Sequence, residues 1–362
     1  MNRKGKVNMQ KTLLIIIDNL LIGGGQTVVL ELVKNLECSR YKAVVLCYGV
    51  KRDTSIEKEL EELCTVKYLN IKGKIGFSDM VYVLKKISEI DPDIIHAHLG
   101  GVTFGIPWSI IHKRPIVITA HTIPEKAFSK MNEMQLRLAL KTKKVKLVAV
   151  SEENCSKCKE YFKIDNKKCR FVNNGVDSHK YYIVPHDGFN FINVATHNEN
   201  KNQQLIIKAF AALCEKYDNI KLILVGDGPT HGMLMKLTAD LGIRNKVIFP
   251  GLVSNPEKYY QDADVYIQSS HREAMPMSVL QAMMARMPII STNVGGLVDV
   301  VKENGILIND NDIQALFEAM ESLIVMDCEK RNFMKEQSRK IAMKYSSEAM
   351  ALSYMNIYNE LT

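Results

Sequence analysis

The residues best suited to chemistry in this chain fall in loops that follow short apolar runs. The richest is Gln268-Ser-Ser-His-Arg-Glu273-Ala-Met-Pro276-Met277-Ser278, which leads into an apolar helical pattern over 277–286. Pro276 suits the first turn of a helix, so Glu273 is expected in a loop just ahead of one. The amides of Met277 and Ser278 point out of such a helix start, and Gln281 falls in its second turn. A carboxylate, free amides and a side-chain amide are what sugar hydroxyls and a phosphate require. The plainer reading of Glu273 is a charge partner for the helix N-terminus.

Other loops add to this set. After the run 191–195 comes Thr196-His-Asn-Glu-Asn-Lys201-Asn, with Lys201 beside a helix start, where it is suited to neutralise a diphosphate. A solvated surface Lys is the alternative. Gly226-Asp-Gly228-Pro229 follows the next run as a turn. Gly23-Gly24-Gly25 separates the run 12–17 from a helical pattern over 27–36, so backbone amides can approach an anion there. The spacing is not GxGxxG, and no acid stands where a nicotinamide ribose needs one. His121 follows the run 116–119, suited to bonding a substrate and changing charge near neutral pH, or to a purely structural role. His96 and His98 are similarly placed and rank lower.

These loops need strands to position them. Apolar runs at 12–17, 43–47, 93–96, 116–119 and 146–150 form one series; 191–195, 221–225, 247–249, 265–267 and 288–291 form a second. Runs that are apolar throughout suit a parallel sheet covered on both faces. The segments between them have helical spacing, as in 202–217. The pattern predicts α/β architecture, two Rossmann-like doubly wound domains facing across a cleft. The aperiodic stretch 178–190 separates the series. The expected division is 1–180, 181–336, and a C-terminal helix within 337–362 crossing back to the first domain.

The 362 residues suit two domains, and 46% apolar with 24% charged residues is a globular balance. No run is long and apolar enough to span a membrane, and the basic N-terminus, 1–11, lacks a signal-peptide pattern. Eight scattered cysteines, Cys38 and Cys155-Ser-Lys-Cys158 among them, read as thiols with no disulfide frame and no four-ligand zinc spacing. Residues 1–180 hold 31 Lys and Arg against 19 Asp and Glu; the remainder of the 48 and 40, 17 against 21, is acidic. The basic half is therefore the one expected to meet something anionic. It lacks the aromatic interleaving of a nucleic-acid binder. Its densest part, 126–146, carries Lys126, Lys130, Arg137, Lys141, Lys143, Lys144 and Lys146, with Met131, Met134, Leu138 and Leu140 as an apolar stripe. A basic amphipathic helix of that kind suits an anionic membrane surface.

GGGQ at 23–26, VSE at 150–152, NNGVD at 173–177, Lys201-Asn202, GDGP at 226–229 and REAMPMSVLQAM at 272–283 occur in one order and spacing. As a set they resemble family 4 of the retaining glycosyltransferases, over nearly the whole chain. The resemblance implies the GT-B fold and transfer of a sugar from a nucleotide donor with retention. It implies that Gly24 and Gly25 approach the donor, that His121 lies beside the transferred sugar, and that Lys201 binds the diphosphate. Glu273 would be the first acid of the Glu-x7-Glu motif, touching the donor sugar, and the Met277 and Ser278 amides would hold sugar or phosphate oxygens. Two positions depart from the pattern. Gln281 stands where the family has a second Glu for the ribose, and Thr196 where it has an Arg.

The implied enzyme is a metal-independent, hexosyltransferase-like protein with no cofactor, its donor a UDP-sugar rather than a GDP-sugar. The acceptor is a saccharide or lipid-linked molecule, in cell-surface polysaccharide or glycolipid biosynthesis. The expected location is cytoplasmic, peripheral on the inner face of the membrane. Two other readings fit: a non-catalytic nucleotide-sugar-binding protein of the same fold, or a nucleotide-sugar epimerase. A single well-placed carboxylate argues against a glycosidase, which uses two.

Overall fold

A computed structural model describes residues 10–21, 23–36, 40–253, 255–273 and 275–362. Cys38, residues 1–9 of the basic N-terminus, and Ala274 of the acid-bearing loop lie outside them. The chain divides into two compact units. One comprises the residues up to Gly175 together with Ser347–Thr362; the other is Val176–Ser346.

The first unit runs β1 (Lys11–Ile17), α1 (Gly24–Lys34), β2 (Tyr41–Cys47), α2 (Ser55–Leu63), β3 (Thr65–Tyr68), α3 (Phe77–Ile90), β4 (Ile94–His98), α4 (Val102–His112), β5 (Ile116–Ala120), α5 (Pro124–Ala127), α6 (Lys130–Ala139), β6 (Val145–Ala149), α7 (Glu152–Phe162) and β7 (Cys169–Phe171). Its strands pair in parallel in the order β3-β2-β1-β4-β5-β6-β7. Strand β1 is interior to the sheet and its last five residues, Leu13–Ile17, are fully buried. One apolar layer packs Val28, Val29 and Leu32 of α1 against Tyr354, Ile357 and Tyr358 of the C-terminal helix, Ser347–Leu361. The opposite layer packs Phe104 and Trp108 of α4 with Leu136 of α6.

The second unit runs β8 (Phe189–Val194), α8 (Gln203–Cys214), β9 (Ile220–Val225), α9 (His231–Asp240), β10 (Val247–Gly251), α10 (Glu257–Gln261), β11 (Val265–Gln268), α11 (Met277–Met284), β12 (Ile289–Thr292), α12 (Leu297–Val300), β13 (Gly305–Ile308), α13 (Ile313–Val325) and α14 (Cys328–Ala342). Its parallel order is β10-β9-β8-β11-β12-β13. Both units have the Rossmann-like, doubly wound arrangement of the GT-B class. In each sheet the chain reverses direction across its first strand, so ligand-facing loops gather at the carboxyl ends.

Several expectations need correction. The strand series omits β3, β7 and β13, sheet-edge strands of three or four residues whose burial is incomplete. The first boundary falls at 175/176, five residues before the expected 180/181. The stretch 337–361 is not one helix. It contains the end of α14, a tight turn at Met343–Tyr345 and the separate terminal helix, so the second unit extends to Ser346 rather than 336. The basic stretch 126–146 is likewise broken into α5, α6 and the start of β6. Helix α6 buries Leu136 and Ala139 and leaves Met131, Met134 and Leu138 exposed, whereas Leu140 is buried and does not belong to the outer stripe. Among the described residues no helix is long and apolar enough to cross a membrane.

Candidate functional site

In the first unit the carboxyl edge gathers Gly24, Gly25 and three histidines. His96 and His98 alternate with Ala97 along β4, so both project to one face, with ring centroids 4.0 Å apart. His121 follows β5, and its Nε2 lies 3.0 Å from Nδ1 of His98. His96 bonds Tyr358 through Nδ1 at 2.7 Å and Thr119 through Nε2 at 2.8 Å. Thr119 meets Tyr354 at 3.1 Å. The histidines are thus tied to two tyrosines of the C-terminal helix, a link no local pattern reveals.

Gly25 stands in the first turn of α1. A Cβ there would press on Leu99 Cδ1 at 3.2 Å and touch His121 Cε1 at 3.5 Å. At Gly24 a Cβ would meet nothing within 4 Å, which leaves the first amides of α1 open. Burial pushes His121 down to about 4 and His96 down to about 3, and holds His98 well below the ordinary value. All three are neutral at pH 7. This corrects the expectation that His121 changes charge near neutrality: desolvation disfavours its cation. Sequence reasoning also missed Asp18, at the end of β1, whose carboxyl burial pushes up. Its signal is an acid that directly ends a strongly apolar run.

In the second unit the edge is ionic. Lys201 closes the tight turn Glu199–Lys201, capped by Asn198, whose side chain accepts from the Lys201 amide at 3.1 Å. Its Nζ bonds Glu273 Oε1 at 2.5 Å. Gln268 at 2.8 Å and Ser270 at 2.7 Å donate to that same oxygen. Oε2 makes no hydrogen bond to the described residues. The Glu273 side chain is only 9% exposed and that of Lys201 21%, so the pair is partly shielded from solvent screening.

Helix α11 follows with Pro276 as its N-cap. The Met277 and Ser278 amides lie in its first turn and lack helical acceptors. Tyr266 donates to Ser278 Oγ at 2.8 Å, and the single Tyr260 hydroxyl proton is shared between the Ser278 carbonyl and Gln281 Oε1, both at 3.1 Å. The amide N–H groups of Gln281 remain for a ligand. Gly226 has φ +135, and a Cβ on it would fall 2.0 Å from the Ala195 carbonyl oxygen. That glycine lets the turn after β9 close onto the loop bearing Thr196. A histidine pair between this loop and α9 escaped sequence reasoning: His197 Nδ1 lies 2.9 Å from His231 Nδ1.

Lys201, Gly226, Glu273, Met277, Ser278 and Gln281 thus share one sheet edge, and Gly24, Gly25 and His121 share another. Of the cysteines read as scattered, Cys155 and Cys158 of α7 and Cys169 of β7 are buried together, with the Cys155 and Cys169 sulfurs 3.4 Å apart.

Residues 22–180 match the profile of Glycosyltransferase Family 4, and residues 178–341 that of Glycosyl transferases group 1. The chain is 27% identical to the putative glycosyltransferase EpsD of Bacillus subtilis, over 76% of this chain and 78% of that protein. It is 27% identical to the glycosyltransferase MJ1059 of Methanocaldococcus jannaschii over 58% of each, so it spans little more than half of that relative. A glycosyltransferase structure from Rickettsia africae superposes with TM-score 0.80 at 18% identity, covering 97% of this chain and 98% of the other. HepE of Anabaena, solved with UDP and glucose, gives TM-score 0.76 at 19% identity over 97% and 100%. Two contiguous profile matches, the shared fold and the ordered motifs lead to one conclusion: the chain belongs to the family-4, group 1 glycosyltransferases of GT-B fold.

Proposed function

We propose that this protein transfers a sugar from a UDP-sugar to a saccharide or lipid-linked acceptor, with retention, in the building of a cell-surface polysaccharide or glycolipid. The observation that carries the reading is the Lys201–Glu273 pair at a sheet edge, ahead of the open amides of α11. When donor binds, Lys201 faces the diphosphate and Glu273 accepts from a sugar hydroxyl through Oε2. The Met277 and Ser278 amides bond sugar or phosphate oxygens. Within the first unit taken by itself, Gly24 and Gly25 leave the amides of α1 open to an anionic group, and His121 is suited to bond a sugar oxygen.

In the reaction the acceptor oxygen bonds to the anomeric carbon as the carbon–oxygen bond to the diphosphate breaks. The acceptor proton leaves with the diphosphate or to water. Negative charge grows on the departing phosphate, and fixed cations and amides stabilise that charge most when they need no rearrangement. Lys201 and the helix amides supply this without a bound metal. Named relatives point the same way: one is a capsular polysaccharide biosynthesis glycosyltransferase of Staphylococcus aureus, 25% identical over 55% of this chain. The exposed Met131, Met134 and Leu138 on α6, beside Lys126, Lys130, Lys141, Lys143 and Lys144, suit an anionic membrane surface and hence a lipid-linked acceptor.

A second reading, nucleotide-sugar binding without turnover, is favoured by Thr196 and Gln281, which remove one cation and one acid from the family's donor set. A thermal-shift series with UDP, GDP, ADP and their sugars, followed by an assay of UDP release with and without acceptor, tests both. A melting shift with UDP and acceptor-dependent release is the expected result. A shift without release supports binding alone, release without acceptor supports hydrolysis or epimerisation, and no shift removes the donor assignment.

A further inference from the structure

The His98–His121 contact holds a single proton, and the surroundings decide where it sits. Two neutral imidazoles with nitrogens 3.0 Å apart form one hydrogen bond, in which one ring donates and the other accepts. If His121 donated from Nε2, His98 would carry its own proton on Nε2. That nitrogen is buried and has no hydrogen-bond partner among the described residues. His96 cannot relieve it, because both His96 nitrogens are already engaged, one by Tyr358 and one by Thr119. A buried N–H without an acceptor is rarer in folded proteins than an unsatisfied acceptor. The arrangement that leaves only a lone pair unsatisfied has His98 protonated on Nδ1 and donating to His121 Nε2.

We propose that His98 is a positioning residue that sets the tautomer of His121, fixing its proton on Nδ1 so that His121 presents an N–H donor to an oxygen of the transferred sugar. Nδ1 of His121 makes no hydrogen bond to the described residues. The open first turn of α1 lies close by, with Gly25 against the His121 ring edge. A neutral donor of fixed direction suits a sugar oxygen, and it needs no reorganisation when substrate arrives. The last clause of the proposal rests on the sugar-transfer reading; the tautomer itself does not.

The test is long-range proton–nitrogen NMR of the full-length protein with ¹⁵N-labelled histidine, at neutral pH and without ligand. His121 is identified by the signals lost in His121→Gln. The expected wild-type spectrum has His121 protonated on Nδ1 and bare on Nε2. His98→Asn, whose amide nitrogen can occupy the place of Nδ1–H, keeps that form. His98→Leu removes the donor, and His121 relaxes toward the Nε2–H form that free imidazole side chains prefer. With an active donor–acceptor pair, His98→Leu lowers kcat about tenfold with a smaller change in donor KM, as for one lost hydrogen bond, and His98→Asn restores most of it. Protonation of His121 on Nε2 in the wild type overturns the proposal. So does an unchanged tautomer in folded His98→Leu. The wild-type and His98→Asn spectra decide the matter even where the leucine variant does not fold. A protein with the expected spectra but no transferase activity sustains the tautomer assignment and removes only the proposed function.

Discussion

The carboxyl edges of the two sheets solve different electrostatic problems. In the first unit two buried histidines and the half-buried His121 have no countercharge, so they stay neutral, and His98 bonds His121 while His96 bonds Thr119 and Tyr358. In the second a lysine and a glutamate are held in contact, with Gln268 and Ser270 sharing the same carboxylate oxygen. Neutral groups of fixed direction suit hydroxyls, whereas a charged pair suits a ligand that carries charge. Burial alone creates the first kind of edge; the second needs two opposite charges from distant parts of the chain.

The largest effect that tests this contrast is on transfer itself. Lys201→Ala and Glu273→Ala are each expected to lower kcat/KM about a hundredfold with the fold retained, the order seen when a charge-stabilising group is lost. Steady-state kinetics with circular dichroism checks this, and near-normal turnover in both variants would break the division of labour.

Acid should act chiefly on the first unit. His96, His98 and His121 titrate below the ordinary 6.5 when folded. The unfolded chain therefore binds more protons once pH falls through 6.5. The stability they contribute is complete above that pH and is lost as pH drops toward about 4 and then about 3. The second unit has one comparable group, His197, pushed down to about 4 by burial and by His231. Hydrogen exchange between pH 7 and 5, corrected for intrinsic rates, should show β4 and β5 losing protection before β8 and β9, by an amount on the order of a few kcal/mol. Equal loss in both sheets would contradict the contrast.

A third comparison sets the outer faces of the units against each other. Replacing Lys141, Lys143 and Lys144 with Glu should weaken binding to vesicles rich in anionic lipid about tenfold or more at low salt, since each basic residue near such a surface contributes about 1 kcal/mol. Flotation or sedimentation with vesicles measures it, with neutral vesicles as the control. Unchanged binding would detach the first unit from the membrane. The smallest effect is expected at Gln281→Glu. A carboxylate there still accepts from Tyr260 and offers a ribose hydroxyl a charge-assisted bond, so UDP should bind a few-fold more tightly by calorimetry. Weaker binding would mean that the amide N–H groups of Gln281 are themselves used.

Much of this was legible in the chain. The ten apolar runs all became strands, because a strand buried on both faces must be apolar along its length. The edge strands β3, β7 and β13 were not, since a strand such as Thr65–Tyr68, at a sheet margin, alternates exposed with half-buried residues. The candidate residues were legible by their loops: Glu273 before Pro276, Lys201 after β8, His121 after β5. Their partners were not. Lys201 and Glu273 are 72 positions apart, and His96 meets Tyr358 across 262. No local period encodes such pairings.

By itself, then, the sequence determined the two α/β units, the loops that bear the chemistry and the family to which the ordered motifs belong, because hydrophobic periodicity and turn residues act over a few positions. Only the tertiary structure decided that His121 is neutral and bonded to His98, that Lys201 is paired to Glu273, and that the last helix packs with the first sheet. Those outcomes depend on burial and on which distant groups share a buried site, and both are set when the sheets assemble.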